Sequence, residues 1–158
     1  METVTDTEWL TGAEQCAWRT HLEVSKLLTY QLERDLQPFG LTMNDYEILV
    51  NLSESEGLRM RMSDLAAATL QSKSRLSHQI TRMEKADLVR RENCESDRRG
   101  LFAVLTDHGL ETMKKVAPHH VASVRHHFIG MVSPEDLEHL HKSLRPVAEH
   151  LRGQRGKP

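Results

Sequence analysis

Apolar side chains recur at helical spacing through residues 8–37 and predict one long first helix. Pro38 and Gly40 end this pattern, because proline breaks a helix and glycine suits the position after one. Thr42 then precedes a second apolar run, with Asp45 three residues later as in a capping box. A second helix is therefore predicted to start at Thr42 and to end by Gly57.

Two short helices separated by a tight break come next. Ser63 is predicted to cap a helix over residues 64–70, and the following helix is predicted over residues 73–86. That second helix carries three apolar side chains on one face, at Leu76, Ile80 and Met83. Short helices joined in this way are typical of a helix-turn-helix unit.

The pattern then changes from helical spacing to two short apolar runs. Leu88 begins the first run, residues 101–105 form the second, and a polar turn is predicted over residues 93–100 between them. Two such runs around a polar turn predict a β-hairpin, which beside a helix-turn-helix is called a wing. The fold class is mainly α with a small β-hairpin wing.

Two further helices are predicted after the hairpin. Thr106 caps one that runs to about residue 129 and bends before Pro118, since a proline inside a helix removes a backbone donor. Ser133 and Pro134 start the last helix. A narrow apolar seam follows along it, formed by Leu137, Leu140, Leu144, Val147 and Leu151.

A long, narrow seam suits packing against another helix better than covering a globular core. We therefore assign residues 1–40 and 107–152 to dimerisation, residues 41–106 to a winged helix-turn-helix lobe and residues 153–158 to a basic tail. Packing of the seam within one chain is the alternative that the sequence leaves open.

The overall charge of −2 hides a basic centre. Residues 59–100 hold ten Lys and Arg against six Asp and Glu, a balance of +4 that leaves −6 for both flanks. Because phosphate binding depends on Lys and Arg, this asymmetry favours a nucleic-acid partner for the predicted lobe.

Residues 41–109 resemble the MarR family of transcription regulators. The resemblance rests on the order of several short motifs, which run Leu41-Thr42, Asp45-Tyr46, Asp64-Leu65-Ala66, Ser72-Lys73-Ser74-Arg75-Leu76-Ser77, Arg82-Met83-Glu84, Leu88-Val89-Arg90-Arg91, Asp97-Arg98-Arg99-Gly100 and Leu105-Thr106 with Gly109. It implies a homodimer on double-stranded DNA, with recognition helices in successive major grooves and wings at the flanking minor grooves.

Polar side chains on the predicted recognition helix are the first set of DNA-binding candidates: Ser72, Lys73, Ser74, Arg75, Ser77, His78, Gln79 and Arg82. Arg75 is suited to a bidentate contact with guanine and Gln79 to one with adenine, while the residues near the helix start suit phosphate oxygens. The alternative is that these side chains only solvate an exposed face.

The wing supplies the second set of candidates. The resemblance implies that Arg99 enters a minor groove and that Asp97 braces its guanidinium. Arg98 is expected at the wing tip near phosphate, and Gly100 is expected to permit the turn.

The resemblance also implies a small phenolic or carboxylate ligand, held where the dimerisation helices meet the DNA-binding lobe. The candidates for this pocket are Trp18, His21, Tyr46 and Arg59. Packing of Trp18 in a dimer core is the alternative.

Redox and metal sensing are further alternatives within the family. We expect Cys16 to be buried and inert, and Cys94, with arginines around it, to be the more exposed and reactive thiol. His119-His120 and His126-His127 suggest zinc, but their separation of seven residues is about two helical turns and does not suit paired ligands. We expect no metal and no cofactor.

Other classes of function are less well supported. No nucleophile elbow, phosphate loop or HExxH motif is present, so an enzyme is not expected. A winged helix that binds protein is the better rival, because the fold alone does not fix the partner. We expect a cytoplasmic protein, since the start of the chain lacks a signal peptide's basic and apolar regions and no stretch is long and apolar enough to span a membrane.

Overall fold

The computed structural model describes residues 7–95 and 97–155, without the side chains of residues 97–99. These residues form six α-helices, α1 (Gly12–Leu36), α2 (Met43–Ser53), α3 (Met62–Ala68), α4 (Lys73–Lys85), α5 (Asp107–His127) and α6 (Pro134–Gln154). They also form three strands, β1 (Arg59–Arg61), β2 (Val89–Cys94) and β3 (Asp97–Leu105). The predicted fold class is confirmed.

Side-chain caps explain where most of the helices begin. Thr42 and Asp45 form the predicted capping box of α2, and Ser72, Thr106 and Ser133 cap α4, α5 and α6. The first helix begins later than predicted, because Thr11 makes a capping box there. The prediction that Ser63 caps the third helix was wrong, since α3 begins at Met62 without a side-chain cap.

The small sheet is larger than the predicted hairpin. Its strand order is β1-β3-β2, and both pairings are antiparallel. The prediction of a polar turn over residues 93–100 was wrong, since β2 continues to Cys94 and β3 begins at Asp97. Gly100 lies within β3 rather than in the turn.

The hydrophobic core lies between α2, α3, α4 and the sheet. Leu49, Leu65, Leu76 and Ile80 are fully buried there. Val116 of α5 closes the core where α5 packs against α2. This core packs against one face of α4, so the opposite face of the helix is left toward solvent.

Helix α5 continues through Pro118 as one element. It carries the chain from the wing back to α1, against which it packs. Helix α6 then leaves the core, and every residue from 138 to 154 is exposed. The predicted seam on α6 is therefore exposed from Leu140 onward, whereas Leu137 is half-buried.

Candidate nucleic-acid interface

Helix α4 presents a polar face to solvent along its first two turns. Ser72 caps it, and the Ser72 hydroxyl accepts a hydrogen bond from the backbone N–H of Arg75 at 3.3 Å. Six predicted contacts are exposed, namely Ser72, Lys73, Ser74, Arg75, Ser77 and His78. Among the described residues, the side chains of Lys73, Arg75 and His78 make no hydrogen bond or ion pair. This face is open to an outside partner.

Gln79 and Arg82 behave differently, because both bind a buried carboxylate. Gln79 Nε2 donates to Asp45 Oδ1 at 2.8 Å, and the Arg82 guanidinium forms an ion pair with the same oxygen. The Asp45 side chain is only 1% exposed, whereas that of Arg82 is 52% exposed. The structure thus ties these two predicted DNA contacts to α2, and leaves part of Arg82 facing solvent.

Asp45 stays ionised in this setting. Burial alone would raise the pKa of its carboxyl. Hydrogen bonds from Arg82, from the backbone N–H of Thr42 and from Gln79 outweigh burial and lower that pKa below its usual value. A charged carboxylate therefore fixes the rotation of α4 relative to α2. Its position in a capping box had indicated only a role at the start of α2.

The wing follows the C-terminal end of α4 and consists of β2 and β3. The backbones of Asp97, Arg98 and Arg99 lie in β3, while their side chains lie outside the described residues. The minor-groove role of Arg99, the bracing role of Asp97 and the phosphate contact of Arg98 therefore stay predictions. At the near end of the wing, Arg91 of β2 reaches back to α4 and donates to the Ser77 hydroxyl at 3.1 Å.

The whole arrangement has close counterparts among known proteins. A family model described as MarR family matches residues 39–100, which include α2, α3, α4 and most of the sheet. AbsC, a MarR family transcriptional regulator from Streptomyces coelicolor, is 83% identical over 94% of this chain and 100% of its own, with a TM-score of 0.92. The chain belongs to the MarR family.

Two further solved structures are similar to this MarR-family chain. Another MarR family transcriptional regulator from Streptomyces coelicolor, in complex with DNA, is 42% identical over 96% of this chain and 94% of its own, with a TM-score of 0.90. An organohalide-sensing transcriptional regulator in its 2,4-dichlorophenol-bound form is 17% identical over 99% of this chain and 94% of its own, with a TM-score of 0.81, and shares the fold. All three of these proteins are described as transcriptional regulators.

The four residues predicted to line a ligand pocket lie in three separate places of the MarR-family fold. Trp18 stacks on His21 along α1, with ring centroids 6.0 Å apart. Tyr46 is buried in the core, with its ring 4.3 Å from that of His120. Arg59 lies on β1, with its guanidinium 4.8 Å from the ring of Phe102. The structure brings Trp18 and His21 together, but neither Tyr46 nor Arg59 joins them.

An apolar groove of about 650 Å³ lies between α1 and α6. Its walls are mostly aliphatic and aromatic, with His21 as one of the few polar side chains, and its lining includes Cys16, Val24, Leu28, Phe128, Leu140 and Leu144. His21 is the member of the predicted ligand set that contributes to this groove.

The predictions for the two cysteines were wrong in both directions. Cys16 is exposed, because α1 carries it toward the groove rather than into a core. Cys94 is buried, and Arg61 of β1 donates to its sulfur at 3.3 Å. Strand β1, which the sequence pattern did not reveal, places Arg61 where its side chain reaches this thiol.

The paired histidines of α5 contact neighbouring helices. The ring of His119 lies 5.1 Å from that of Phe39, and His127 Nε2 lies 3.6 Å from Asp35. Across residues 7–95 and 97–155, no three His, Cys, Asp or Glu side chains come together as a metal site. Within the same ranges, no helix combines the length and the apolar character needed to cross a membrane.

Proposed function

We propose that this transcription regulator is a homodimeric repressor, which binds a pseudo-palindromic operator and releases it when a small ligand binds. The observation that carries the proposal is the face of α4 on which Lys73, Arg75 and His78 have no partner among the described residues. The core packs against the apolar face of α4, and the polar face of the helix points outward. A helix presented in this way fits the major groove of DNA.

Each residue of the proposed interface has a role that follows from its position. Arg75 lies in the first turn of α4 and reads guanine, while Lys73, Ser72 and Ser74 before it bind phosphate. His78 and the exposed part of Arg82 lie farther along the same helix. Gln79 acts mainly through Asp45, because its amide already donates to that carboxylate.

The wing and its arginines complete the proposed interface. Arg99 enters a minor groove, with Asp97 as its brace and Arg98 near phosphate. The MarR family regulator that was solved in complex with DNA supports a DNA partner for this chain.

Dimerisation is supported by the apolar surface that the chain leaves uncovered. Leu144 is 41% exposed, Val147 51% and Leu151 59%, all on one side of α6. On α1, Trp18 is 53% exposed and Leu27 60%. Apolar surface of this extent on two long helices is typical of an interface between copies. A two-fold dimer then presents two copies of α4 about one DNA turn, ~10 base pairs, apart.

The groove between α1 and α6 is the proposed site of ligand action. Its apolar walls suit an aromatic ring, and the His21 imidazole suits a phenolic or carboxylate oxygen. The organohalide-sensing regulator, which has this fold, was solved with 2,4-dichlorophenol. A ligand in such a groove would change the packing of α6 on α1, and with it the distance between the two recognition helices.

Selection from a pool of random duplex DNA tests the proposed function. The protein is bound to the pool at low and moderate salt, and the retained duplexes are sequenced. We expect enrichment of a pseudo-palindrome that survives the higher salt, because base contacts add to the phosphate contacts that salt weakens. Unselective binding that moderate salt abolishes would contradict the proposal and favour a protein partner.

Arg75→Ala is the matched variant for this selection, with Lys85→Ala as the control. Both remove one exposed cation from α4, but Lys85 is in its last turn. Arg75→Ala should lose the preference at one position in each half-site, at a cost of about 1–3 kcal/mol. Lys85→Ala should retain the preference at that position. An equal loss of preference in both variants would rule out base reading by Arg75.

A further inference from the structure

Arg91 of the wing binds α4 along two successive helical turns. Its Nη2 donates to the backbone carbonyl of Ser77 at 2.7 Å and to the Thr81 hydroxyl at 3.1 Å. Its Nη1 forms an ion pair with the Glu84 carboxylate. Ser77, Thr81 and Glu84 are four and three residues apart, so they lie on one side of α4.

The backbone of Arg91 is held by the same helix. Its N–H donates to Glu84 Oε1 at 3.0 Å, while the side chain bonds the other oxygen of that carboxylate. Both ends of the residue are therefore fixed to α4. Only 22% of the Arg91 side chain is exposed, which leaves little of its guanidinium for an outside partner.

The preceding residue gives a natural comparison within the same strand. Arg90 points to the opposite face of the sheet, as neighbours in a strand do. Its side chain is 55% exposed and pairs with Glu92 of its own strand at 2.6 Å. Arg90 and Arg91 thus share charge and strand, but only Arg91 bonds to α4.

We propose that Arg91 is a positioning residue that sets the angle between the wing and α4, and so determines specificity for the base pairs beneath the wing. The proposal rests on the proposed function, since it presumes that α4 and the wing bind DNA together. The physical reason is that one planar guanidinium bonds to several acceptors on α4. Bending of the wing relative to α4, or rotation of α4 about its axis, would break these bonds. Arg91 does not itself contact phosphate in this arrangement, because both of its Nη atoms bond to α4 and only 22% of its side chain is exposed.

The test compares Arg91→Gln and Arg91→Lys with Arg90→Gln and Arg90→Lys. Affinity is measured by fluorescence anisotropy on the selected operator and on operators changed only at the flanking positions under the wing. Each titration is repeated over a series of salt concentrations, well below the melting temperature of every variant. Circular dichroism confirms that each variant is folded under these conditions.

Arg91→Gln should bind the operator about tenfold more weakly and should lose most of its discrimination at the flanking positions. Arg91→Lys should show a smaller loss of the same kind, because an ammonium keeps the charge but cannot bridge the acceptors as a planar fork does. The slope of log affinity against log salt should stay unchanged in both, since no phosphate contact is lost. The Arg90 variants should keep the flanking discrimination of the wild type.

Several outcomes would overturn the proposal. A slope reduced by about one in Arg91→Gln would mean that Arg91 binds phosphate directly. Wild-type discrimination in a folded Arg91→Gln would mean that the contacts only stabilise the fold, and equal losses in Arg90→Gln would mean that net charge alone matters. If the wild type selects no sequence, the proposed function has failed instead.

Glu84→Gln provides a second route if Arg91→Gln does not fold. It removes the charge of one acceptor while keeping its shape, and should reduce flanking discrimination about threefold, again without a change in salt slope. In a double-mutant cycle with Arg91→Lys, the two losses should be less than additive. Fully additive losses would show that the two residues act separately and would contradict the proposal.

Discussion

Asp45 shows how one residue determines which parts of α4 are available to a partner. Its buried carboxylate binds Gln79 and Arg82, which lie 34 and 37 residues later in the chain. Local sequence pattern predicts the amphipathic face of α4 and the cap of α2, because both depend on residues within one turn. It cannot predict that an acid at a cap also accepts from a distant helix, and so it does not reveal that the Gln79 amide has an acceptor within the chain.

Asp45→Asn should destabilise the protein by about 2 kcal/mol at neutral pH, because hydrogen bonds to a buried charge are lost. The folded pKa of Asp45 lies below its unfolded value of about 3.9, so its contribution is complete above that value. The contribution disappears as pH falls through the folded pKa.

Urea unfolding of both proteins at several pH values checks this expectation. The difference in free energy of unfolding between wild type and Asp45→Asn should be constant from pH 7 to about 5 and should shrink below about pH 4. A difference that does not change with pH would show that the charge of Asp45 contributes nothing.

At the scale of elements, the sequence predicts what local chemistry controls. The starts of α2, α4, α5 and α6 follow from hydroxyl caps that act within three residues. Strand β1 was missed although residues 58–62 alternate apolar and polar side chains, because the strand is only three residues long and depends on pairing with β3. The wing was predicted too short because polar residues such as Asn93 and Asp97 were assigned to a turn, although the ladder between β2 and β3 includes them.

The joint between the wing and α5 depends on a close approach at Gly109. A Cβ atom there would lie 2.0 Å from the backbone carbonyl oxygen of Leu88, where no side chain fits. Gly109→Ala should therefore force α5 away from the sheet and destabilise the protein by more than about 2 kcal/mol.

Gly12→Ala is the control for this joint, because nothing lies within 4 Å of a Cβ at Gly12 in the first turn of α1. It should leave stability unchanged or raise it by up to about 1 kcal/mol. Thermal melts followed by circular dichroism measure both variants. Equal melting temperatures for Gly109→Ala and wild type would contradict the close packing of α5 on Leu88.

Across the whole molecule, the lobe and the C-terminal helix differ in how much apolar surface they bury within the chain. The lobe around α2, α3 and α4 buries its own core, whereas α6 buries almost nothing within its chain. The apolar spacing of the sequence predicted the seam along α6, whose side chains are exposed from Leu140 onward, and its role in dimerisation stays a prediction. The sequence could not predict the groove between α1 and α6, because that groove depends on how distant helices pack.

Leu144→Glu should prevent dimerisation while leaving each chain folded, since a charge would be placed at the centre of the apolar seam. Lys142→Gln changes the net charge by the same amount on the opposite side of α6, and should leave the dimer intact. Sedimentation velocity at micromolar concentration separates the two states. A dimeric Leu144→Glu would show that the seam is not the interface.

The central claim is that two copies of α4 read one operator at a fixed separation. The most direct test inserts five base pairs between the half-sites of the selected operator, and compares affinity with that for the original duplex. Half a turn of DNA places the second half-site on the opposite face of the duplex, so affinity should fall by at least about a hundredfold. Unchanged affinity would mean that one copy of α4 binds alone, and would contradict the account.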